Sequence, residues 1–306
     1  MLCTIVANSL QAGRRHHPRS ARYYLYMSLA EIDLLNMALD ATGVTLRSKI
    51  NEGGQKAVYL VDSAGQSAVL KVISLSTSSP DALKRAEREV ELLRSIASEN
   101  VVAVISPLAE LGNPATGVAW LEEHLDGEDL SSLLFNVKWS WDDTVGMALD
   151  VSRGLAVAHE KRVVHRDLSA NNVRRLSSGT YKVMDFGFAR FTLKSGLTIG
   201  GQPGTPGYAS PEHLHAYSGA PTPASDIFSV GILMYAALTG SLPIPHLGDD
   251  MDYVTRLRHT VFEPLANLRP DLGADQLDVI NRCLHRQPAR RFLNGAALSL
   301  TLEDMK

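Results

Sequence analysis

The stretch HRDLSANN, residues 165–172, followed after a short hairpin by Asp185-Phe186-Gly187, decides the fold of this chain. Asp167 and Asn172, five residues apart, precede the second aspartate, Asp185. This spacing places three oxygen-bearing side chains around one point. Carboxylate and amide oxygens are the ligands that Mg²⁺ prefers, and Mg²⁺ held in this way binds nucleotide triphosphates. The stretch therefore predicts a site for a metal and a nucleotide.

With these two motifs the chain resembles the protein kinase family, and the resemblance continues upstream. A loop with glycines (INEGGQKAVYLV), a strand ending at Lys71 (AVLK) and a helix containing Glu89 (EREVELL) follow in the family's order. The resemblance implies that Lys71 holds the α- and β-phosphates of ATP and that Glu89 orients Lys71 as an ion pair. Either charge alone is typical of an exposed strand or helix, but their order ahead of the two motifs favours the functional interpretation.

The resemblance also extends downstream. GTPGYASPE, residues 204–212, is similar to the end of the family's activation segment, with Ser210 in place of the usual alanine. Asp226 stands where the family's buried helix holds the catalytic loop, and Arg291 stands where an arginine pairs with the glutamate of this segment, here Glu212. Thr205 resembles the Ser/Thr-kinase version of the segment, which implies a Ser or Thr acceptor. The resemblance runs from about Lys49 to Phe292.

The resemblance assigns roles within the site. Asp167 accepts or orients the proton of the substrate hydroxyl, and the ring of His165 packs under Phe186 as a structural group. Asn172 and Asp185 bind Mg²⁺, with Mn²⁺ as a possible substitute. The remaining ATP contacts come from the phosphate loop, from apolar side chains above the base and from the hinge backbone: Gly53, Gly54, Val58, Val69, Glu123 and Leu125.

An arginine directly before the catalytic aspartate marks, in this family, kinases activated by phosphorylation of the activation segment. Arg166 would be joined by Arg190 and by Arg85, so that three guanidinium groups converge on one phosphate. Three separate solvated arginines are the alternative. Among the acceptors between residues 187 and 204, Thr198 is the predicted site of autophosphorylation.

Several positions depart from the family pattern. Asn51 and Lys56 replace two loop glycines, which limits how closely backbone amides approach a phosphate. Ser169 replaces the lysine found two residues after the catalytic aspartate, so one cation is missing and slow turnover is expected.

Two charged residues fall at apolar positions of the adenine pocket. Glu122 stands just before the hinge and Arg174 stands below the base. Because an unpaired buried charge is costly, the two side chains either pair with each other, extend to solvent, or mark an unusual nucleotide preference.

Composition places the chain among ordinary globular proteins. It has 306 residues, 45% hydrophobic and 21% charged, with a net charge of −3. This balance excludes disordered and collagen-like chains and gives no reason to expect nucleic-acid binding. The two cysteines, Cys3 and Cys283, lie far apart, which fits a reducing, cytoplasmic setting. The longest apolar run, residues 228–238, is too short to cross a bilayer and predicts a buried helix.

The sequence patterns predict a sheet-plus-helix part followed by a helical part, and the resemblance implies that these form an α+β, bilobed, protein-kinase-like fold. Residues 1–44 form a basic tail and an accessory helix, in which Ser28 and Glu31 make a capping box and Gly43 ends the helix. Residues 45–125 form the N-lobe, with a three-strand meander and one helix from about Ser79 to Ala97. Residues 126–306 form a mainly helical C-lobe with short strand-like pieces at VVHRDL and YKVMDFG. The basic cluster at 14–22 favours a solvated tail over a specific nucleic-acid or lipid contact.

The sequence thus predicts an ATP-dependent Ser/Thr protein kinase acting on protein substrates. It predicts no membrane span and leaves the oligomeric state open. A pseudokinase scaffold that binds nucleotide weakly is the alternative, motivated by Asn51, Lys56, Ser169 and Arg174. A kinase-like enzyme that phosphorylates a small molecule is a second alternative, which the GTPGYASPE segment disfavours.

Overall fold

The computed structural model describes residues 27–53, 56–75, 82–186, 205–214, 221–259 and 262–306. These residues divide into two units. One contains the described residues up to Ser95 together with Ala103–His124, and the other contains Ile96–Val102 and the described residues from Leu125 to Lys306. Each unit has its own helices and strands.

The first unit is an antiparallel sheet with two helices. Helix α1 (Leu29–Thr42) is followed by strands β1 (Thr45–Gly53), β2 (Lys56–Ser63) and β3 (Gln66–Ser74), helix α2 (Ala82–Arg94), and strands β4 (Ala109–Leu111) and β5 (Gly117–Glu123). The strand order is β1-β2-β3-β5-β4. The predicted meander is confirmed, since β1, β2 and β3 pair as consecutive antiparallel neighbours. Its second turn contains Ala64 and Gly65, both with positive φ (53° and 87°).

Helix α1 begins and ends as the sequence predicts. The Ser28 hydroxyl accepts from the Glu31 N–H, and the Glu31 carboxylate accepts from the Ser28 N–H at 2.6 Å. Gly43 ends the helix in the left-handed conformation, with φ of 67°. The helix packs on β3, β4 and β5. At Gly117, a Cβ would lie 2.6 Å from the Leu34 Cδ1 atom and 2.9 Å from the Ile73 carbonyl oxygen, so a larger residue would require the Leu34 side chain and the β3 backbone to shift.

Alternation along β3 separates two faces of the sheet. Ala68, Leu70 and Val72 belong to the same buried cluster as Leu35 and Leu39 of α1. Val69 and Lys71 alternate with them and therefore lie on the other face. The accessory helix thus covers the face opposite to the one that carries Lys71.

Helix α2 ends three residues before the end of the predicted span of Ser79 to Ala97. It ends at Arg94, because the Ser95 hydroxyl donates to the Leu92 carbonyl at 2.6 Å and closes the last turn. Residues 76–81, where the predicted helix begins, lie outside the described residues.

The second unit is mainly helical and carries a three-stranded sheet. Its elements in chain order are β6 (Gly127–Asp129), α3 (Leu130–Leu134), α4 (Trp141–Glu160), β7 (Val173–Leu176), β8 (Tyr181–Val183), α5 (Pro223–Thr239), α6 (Asp250–His259), α7 (Leu265–Leu268), α8 (Ala274–Cys283) and α9 (Gly295–Glu303). Strands β6, β7 and β8 pair in that order. Three short 3₁₀ turns cover Ala170–Asn172, Pro211–Leu214 and Pro288–Arg290.

Helix α5 is the centre of this unit. Every residue from Ala224 to Thr239 is buried, which confirms the buried helix predicted from the apolar run. Within the described ranges, no helix is both long and apolar enough to cross a membrane. The predicted strand-like piece at VVHRDL is wrong, since residues 163–168 form no strand. Backbone N–H groups there bond to a buried carboxylate instead of to a neighbouring strand.

The end of helix α4 contains a strained residue. Lys161 caps the helix, and the next residue, Arg162, is exposed with φ of 62°, in the left-handed region that disfavours side chains with a Cβ. We expect Arg162→Gly to raise the free energy of unfolding by roughly 0.5–1 kcal/mol, because strain relief exceeds the added chain entropy. Urea unfolding of both proteins measures the difference. A less stable variant would show that the Arg162 side chain makes a compensating contact.

Candidate active site

Asp226 of α5 anchors the loop that contains the HRD motif. Its carboxylate accepts hydrogen bonds from the backbone N–H groups of His165 (2.8 Å) and Arg166 (2.9 Å). The side chain is 1% exposed, so these bonds are made away from water. Arg166 itself has φ of 69°. The buried carboxylate therefore fixes the backbone directly before Asp167 and stabilises its left-handed turn.

A buried histidine supports this anchor. His159 Nε2 lies 2.9 Å from Asp226 Oδ2, and His159 Nδ1 accepts from the Gly295 N–H at 3.1 Å. Because Nδ1 is the acceptor, Nε2 carries the hydrogen and donates it to Asp226. Burial raises the pKa of Asp226, but the hydrogen bonds from His159 and from the Arg166 backbone N–H group outweigh it, so the pKa lies below its usual value. Asp226 is therefore an anionic anchor.

His165 has the structural role that the sequence predicts. Its ring centroid lies 4.6 Å from that of Phe186, and its Nε2 is 2.9 Å from the Met184 carbonyl. The ring is fully buried. This packing connects the catalytic loop to the segment that carries Asp185.

Asp167 is held by the end of the activation segment. Its Oδ1 atom accepts the Thr205 N–H at 2.8 Å and the Thr205 hydroxyl at 2.7 Å. Two donors on one carboxylate oxygen fix the plane of the carboxyl group. Thr205 was predicted only as an indicator of acceptor type, and the structure shows that it also orients the candidate base.

The candidate metal ligands suit a hard cation. The Asn172 side-chain amide donates from Nδ2 to the Asp167 carbonyl at 2.7 Å, which turns its Oδ1 atom away from that bond. Asp185 adopts φ of 62°. One carboxylate and one amide oxygen fit Mg²⁺, which typically takes one or two protein ligands together with substrate phosphates. Accordingly, the described parts of the chain contain no cluster of three or more His, Cys, Asp or Glu side chains that could hold a metal.

Ser169 stands in a dry environment. It is fully buried, and its hydroxyl has no hydrogen-bond partner among the described residues. A serine here supplies no positive charge next to Asp167, as the sequence predicts.

Glu212 and Arg291 fix the end of the activation segment. The Arg291 guanidinium bonds both carboxylate oxygens, at 2.6 and 3.0 Å, and the Ser225 hydroxyl donates to the same carboxylate at 2.8 Å. Arg291 also donates to the carbonyls of His285, Arg286 and Ala224. Both charged side chains are buried. The predicted pair is present, and its role is structural.

This buried pair makes stability depend on pH. Burial raises the pKa of Glu212, but the hydrogen bond and charge of Arg291 outweigh it, so the pKa lies below 4.5. A lowered carboxyl pKa stabilises the fold above the unfolded-state pKa and loses this effect as pH falls. We expect the free energy of unfolding to decrease below about pH 4.5, and faster below about 3.8 where Asp226 adds its contribution, by up to about 1.4 kcal/mol per pH unit and carboxyl. Urea titrations between pH 3 and 6 measure this; a flat profile would contradict it.

In the first unit, Lys71 is paired within the sheet. Its Nζ atom lies 2.6 Å from Glu122 Oε2, and both side chains are about 95% buried. Glu122 Oε1 accepts from the Trp120 indole N–H at 3.0 Å. The sequence identified Lys71 and Glu122 separately but missed their pairing. The sequence did contain one signal: Trp120 and Glu122 lie two residues apart on one strand, which places their side chains on the same face of the sheet.

Arg174 pairs elsewhere. Its guanidinium donates to Asp129 Oδ1 (2.8 Å) and to the Gly127 carbonyl (2.7 Å). The predicted option in which Glu122 and Arg174 pair with each other is therefore wrong. Glu122 pairs with Lys71 on the neighbouring strand β3, and Arg174 pairs with Asp129 on the neighbouring strand β6. Strand pairing brings these oppositely charged groups together.

The other predicted nucleotide contacts lie on regular elements. Val58 pairs with Lys71 in the sheet, and Val69 pairs with Glu122. Glu123 ends β5 and donates its N–H to the Ala103 carbonyl at 2.9 Å, and Leu125 begins the second unit. Gly53 ends β1, whereas Gly54 lies outside the described residues.

The predicted phosphate-binding arginines are described only in part. Arg166 is placed as above, and Arg85 and Glu89 lie on α2, whose structure is described there for the backbone alone. Arg190 and Thr198 lie outside the described residues. The convergence of three arginines stays a prediction.

A sheet with Lys71 on one face, together with a helical unit in which Asp226 holds an HRD loop, defines a protein-kinase-type phosphotransferase fold. Residues 44–299 match the protein kinase domain family, and the chain belongs to this family. The resemblance found in the sequence is confirmed, as is the α+β kinase-like fold.

Relatives and solved structures agree. A serine/threonine-protein kinase of Corynebacterium efficiens, drp72, is 30% identical over 86% of this chain and 50% of its own length. The serine/threonine-protein kinase PknA of Corynebacterium glutamicum is 30% identical over 84% of this chain and 55% of its own. The chain thus spans about half the length of these curated relatives. The fold is similar to that of the Mycobacterium tuberculosis PknI kinase domain, with a TM-score of 0.65, 21% identity, and coverage of 92% of this chain and 100% of that one.

Proposed function

We propose that this chain transfers the γ-phosphoryl group of ATP to Ser or Thr hydroxyl groups of protein substrates. The observation that carries the proposal is the double hydrogen bond from Thr205 to Asp167 Oδ1. With Oδ1 bonded to both donors, Oδ2 is the oxygen that receives the substrate proton. An aspartate oriented in this way is what a hydroxyl acceptor requires.

The proposed reaction assigns a role to each of these residues. The substrate hydroxyl oxygen attacks the γ-phosphorus, the bond from that phosphorus to the β–γ bridging oxygen breaks, and ADP leaves with the bonding electron pair. The hydroxyl proton passes to Asp167. Asn172 and Asp185 would hold Mg²⁺ or, as a substitute, Mn²⁺, which when bound neutralises phosphate charge. Lys71 binds the α- and β-phosphates.

A protein rather than a small-molecule acceptor is supported by the segment around Thr205. Arg291 donates five buried or half-buried hydrogen bonds. Two of them hold Glu212 of this segment, and three fix the guanidinium on the backbone carbonyls of Ala224, His285 and Arg286. Such bracing suits a surface that must hold a peptide in register with Asp167. The curated relatives are serine/threonine-protein kinases by name, which supports the same acceptor class.

Regulation and setting complete the proposal. Autophosphorylation at Thr198 would supply a phosphate for Arg166, Arg85 and Arg190. The cytoplasm fits an enzyme that uses ATP, and the buried free Cys283, whose thiol pKa is raised to about 12 by burial, fits a reducing compartment.

Radiolabel transfer from γ-labelled ATP and Mg²⁺, onto the protein itself and onto a generic basic protein, tests the function. We expect label on Ser and Thr, with Thr198 among the mapped sites, and no label with Lys71→Ala. Absence of label at every enzyme concentration, with nucleotide binding still detected by thermal shift, would instead establish the pseudokinase scaffold. Label on Ser or Thr with Thr198 unmodified would remove only the regulatory part.

A further inference from the structure

Three neighbouring side chains, from strands β3 and β5, lie on one face of the sheet of the first unit. In the register of β3 and β5, Lys71 lies opposite Trp120 and Val69 lies opposite Glu122. Residues two apart on a strand share a face, so Lys71, Trp120 and Glu122 all lie on the face opposite to helix α1. Lys71 and Glu122 are diagonal neighbours, a separation that a long side chain spans.

Both oxygens of the Glu122 carboxylate are engaged. Oε1 accepts the Trp120 indole N–H at 3.0 Å, and Oε2 lies 2.6 Å from Lys71 Nζ. Trp120 is fully buried, while Lys71 and Glu122 are only 3% and 4% exposed. A carboxylate held at both oxygens in a dry site has one orientation available, so the position of the ammonium group is also restricted.

We propose that Glu122 is a positioning residue that holds the Lys71 ammonium group for phosphate binding, and that Trp120 sets the orientation of Glu122. This inference rests on the proposed function only in assigning Lys71 to the phosphates of ATP. The pair lies entirely within neighbouring strands, so it positions Lys71 from the sheet itself. The family resemblance assigns this work to Glu89 on helix α2, and Glu122 is a second carboxylate with the same task.

The inference predicts that a change at Glu122 lowers the affinity for ligands that carry phosphates and not for ligands that lack them. Glu122→Gln removes the negative charge but keeps an oxygen that accepts from Trp120, so the sheet keeps its packing. Lys71 then loses a buried charged partner and its four-carbon stem samples other rotamers. We expect the affinity for Mg²⁺-ATP to fall about 10-fold while the affinity for adenosine, which has no phosphate, stays within about twofold.

Isothermal titration of the whole chain with ATP and with adenosine tests this without requiring turnover. Glu110→Gln is the matched control, since Glu110 is an exposed carboxylate on β4 of the same sheet. Trp120→Phe should weaken ATP binding less than Glu122→Gln, because it removes the orienting donor but leaves the negative charge of Glu122 beside Lys71. In a Lys71→Ala background, Glu122→Gln should cause no further loss of ATP affinity.

Three results would overturn the inference: ATP affinity that is unchanged or increased in Glu122→Gln, an equal loss for ATP and adenosine, or full additivity with Lys71→Ala. Glu122→Asp is the second variant; partial recovery of ATP affinity relative to Glu122→Gln is expected, and no recovery would argue against a charged contact. Failure of the wild-type chain to bind ATP would overturn the proposed function itself, a result distinct from these three.

Discussion

Asp167→Ala is expected to lower kcat for protein phosphorylation by about 10²–10⁴-fold while the KM for ATP changes little. In the proposed mechanism Asp167 receives the substrate proton, a contribution that general bases make at this magnitude, and other groups bind the phosphates. Removing the Asp167 carboxylate breaks the hydrogen bonds from Thr205. It leaves the loop anchor intact, because Asp226 bonds to the backbone N–H groups of His165 and Arg166. Steady-state kinetics with a protein acceptor measure both constants.

Thr205→Val tests, in the same assay, how much the orientation of the Asp167 carboxylate contributes to kcat. It removes the hydroxyl donor but keeps the backbone N–H bond to Asp167, so a smaller loss in kcat than for Asp167→Ala is expected. Combined with Asp167→Ala it should add nothing further, because Thr205 acts through that carboxylate. Equal kcat in the wild type and Asp167→Ala would contradict the proposed mechanism.

The largest effect on stability is expected for Glu212→Gln, which removes the counter-charge of a buried arginine. We expect a decrease of about 3–5 kcal/mol in the free energy of unfolding, because Arg291 stays buried with its charge uncompensated. The Arg291 side chain is fully buried, and its guanidinium lies 4.8 Å from the centroid of the Phe228 ring. Chemical denaturation measures the change.

A double-mutant cycle and an exposed pair control this prediction. Glu212→Gln with Arg291→Met should recover much of the lost stability, because no unpaired charge is left in the core. Arg153 and Glu303 form an exposed pair at 3.0 Å, so Glu303→Gln should cost less than about 1 kcal/mol. A similar cost for the buried and the exposed pair would show that Arg291 reaches solvent.

Sequence patterns predicted the family, most of the sheet and the role of His165. The alternation in β2 and β3, the capping box of α1 and the apolar run of α5 are local signals, since each depends on side chains only a few residues apart. The motif HRDLSANN predicted the loop that carries Asp167 and Asn172, because all of its characteristic residues lie within eight positions of the chain. The overlapping stretch VVHRDL, residues 163–168, was wrongly predicted to contain a strand. Its two valines favour strands, but the N–H groups of the next two residues, His165 and Arg166, bond to the Asp226 carboxylate and not to a neighbouring strand.

The sequence by itself determined the family and which residues are candidates for the chemistry, and the tertiary structure decided which of them touch. Lys71 and Glu122 are about fifty positions apart, and Thr205 is thirty-eight from Asp167. His159 reaches Gly295 across an even longer separation. Strand register and helix packing bring these groups within hydrogen-bond distance, and neither is encoded in the spacing of residues along the chain. A buried charge takes the oppositely charged group that the fold places beside it, which is why Glu122 pairs with Lys71 and not with Arg174.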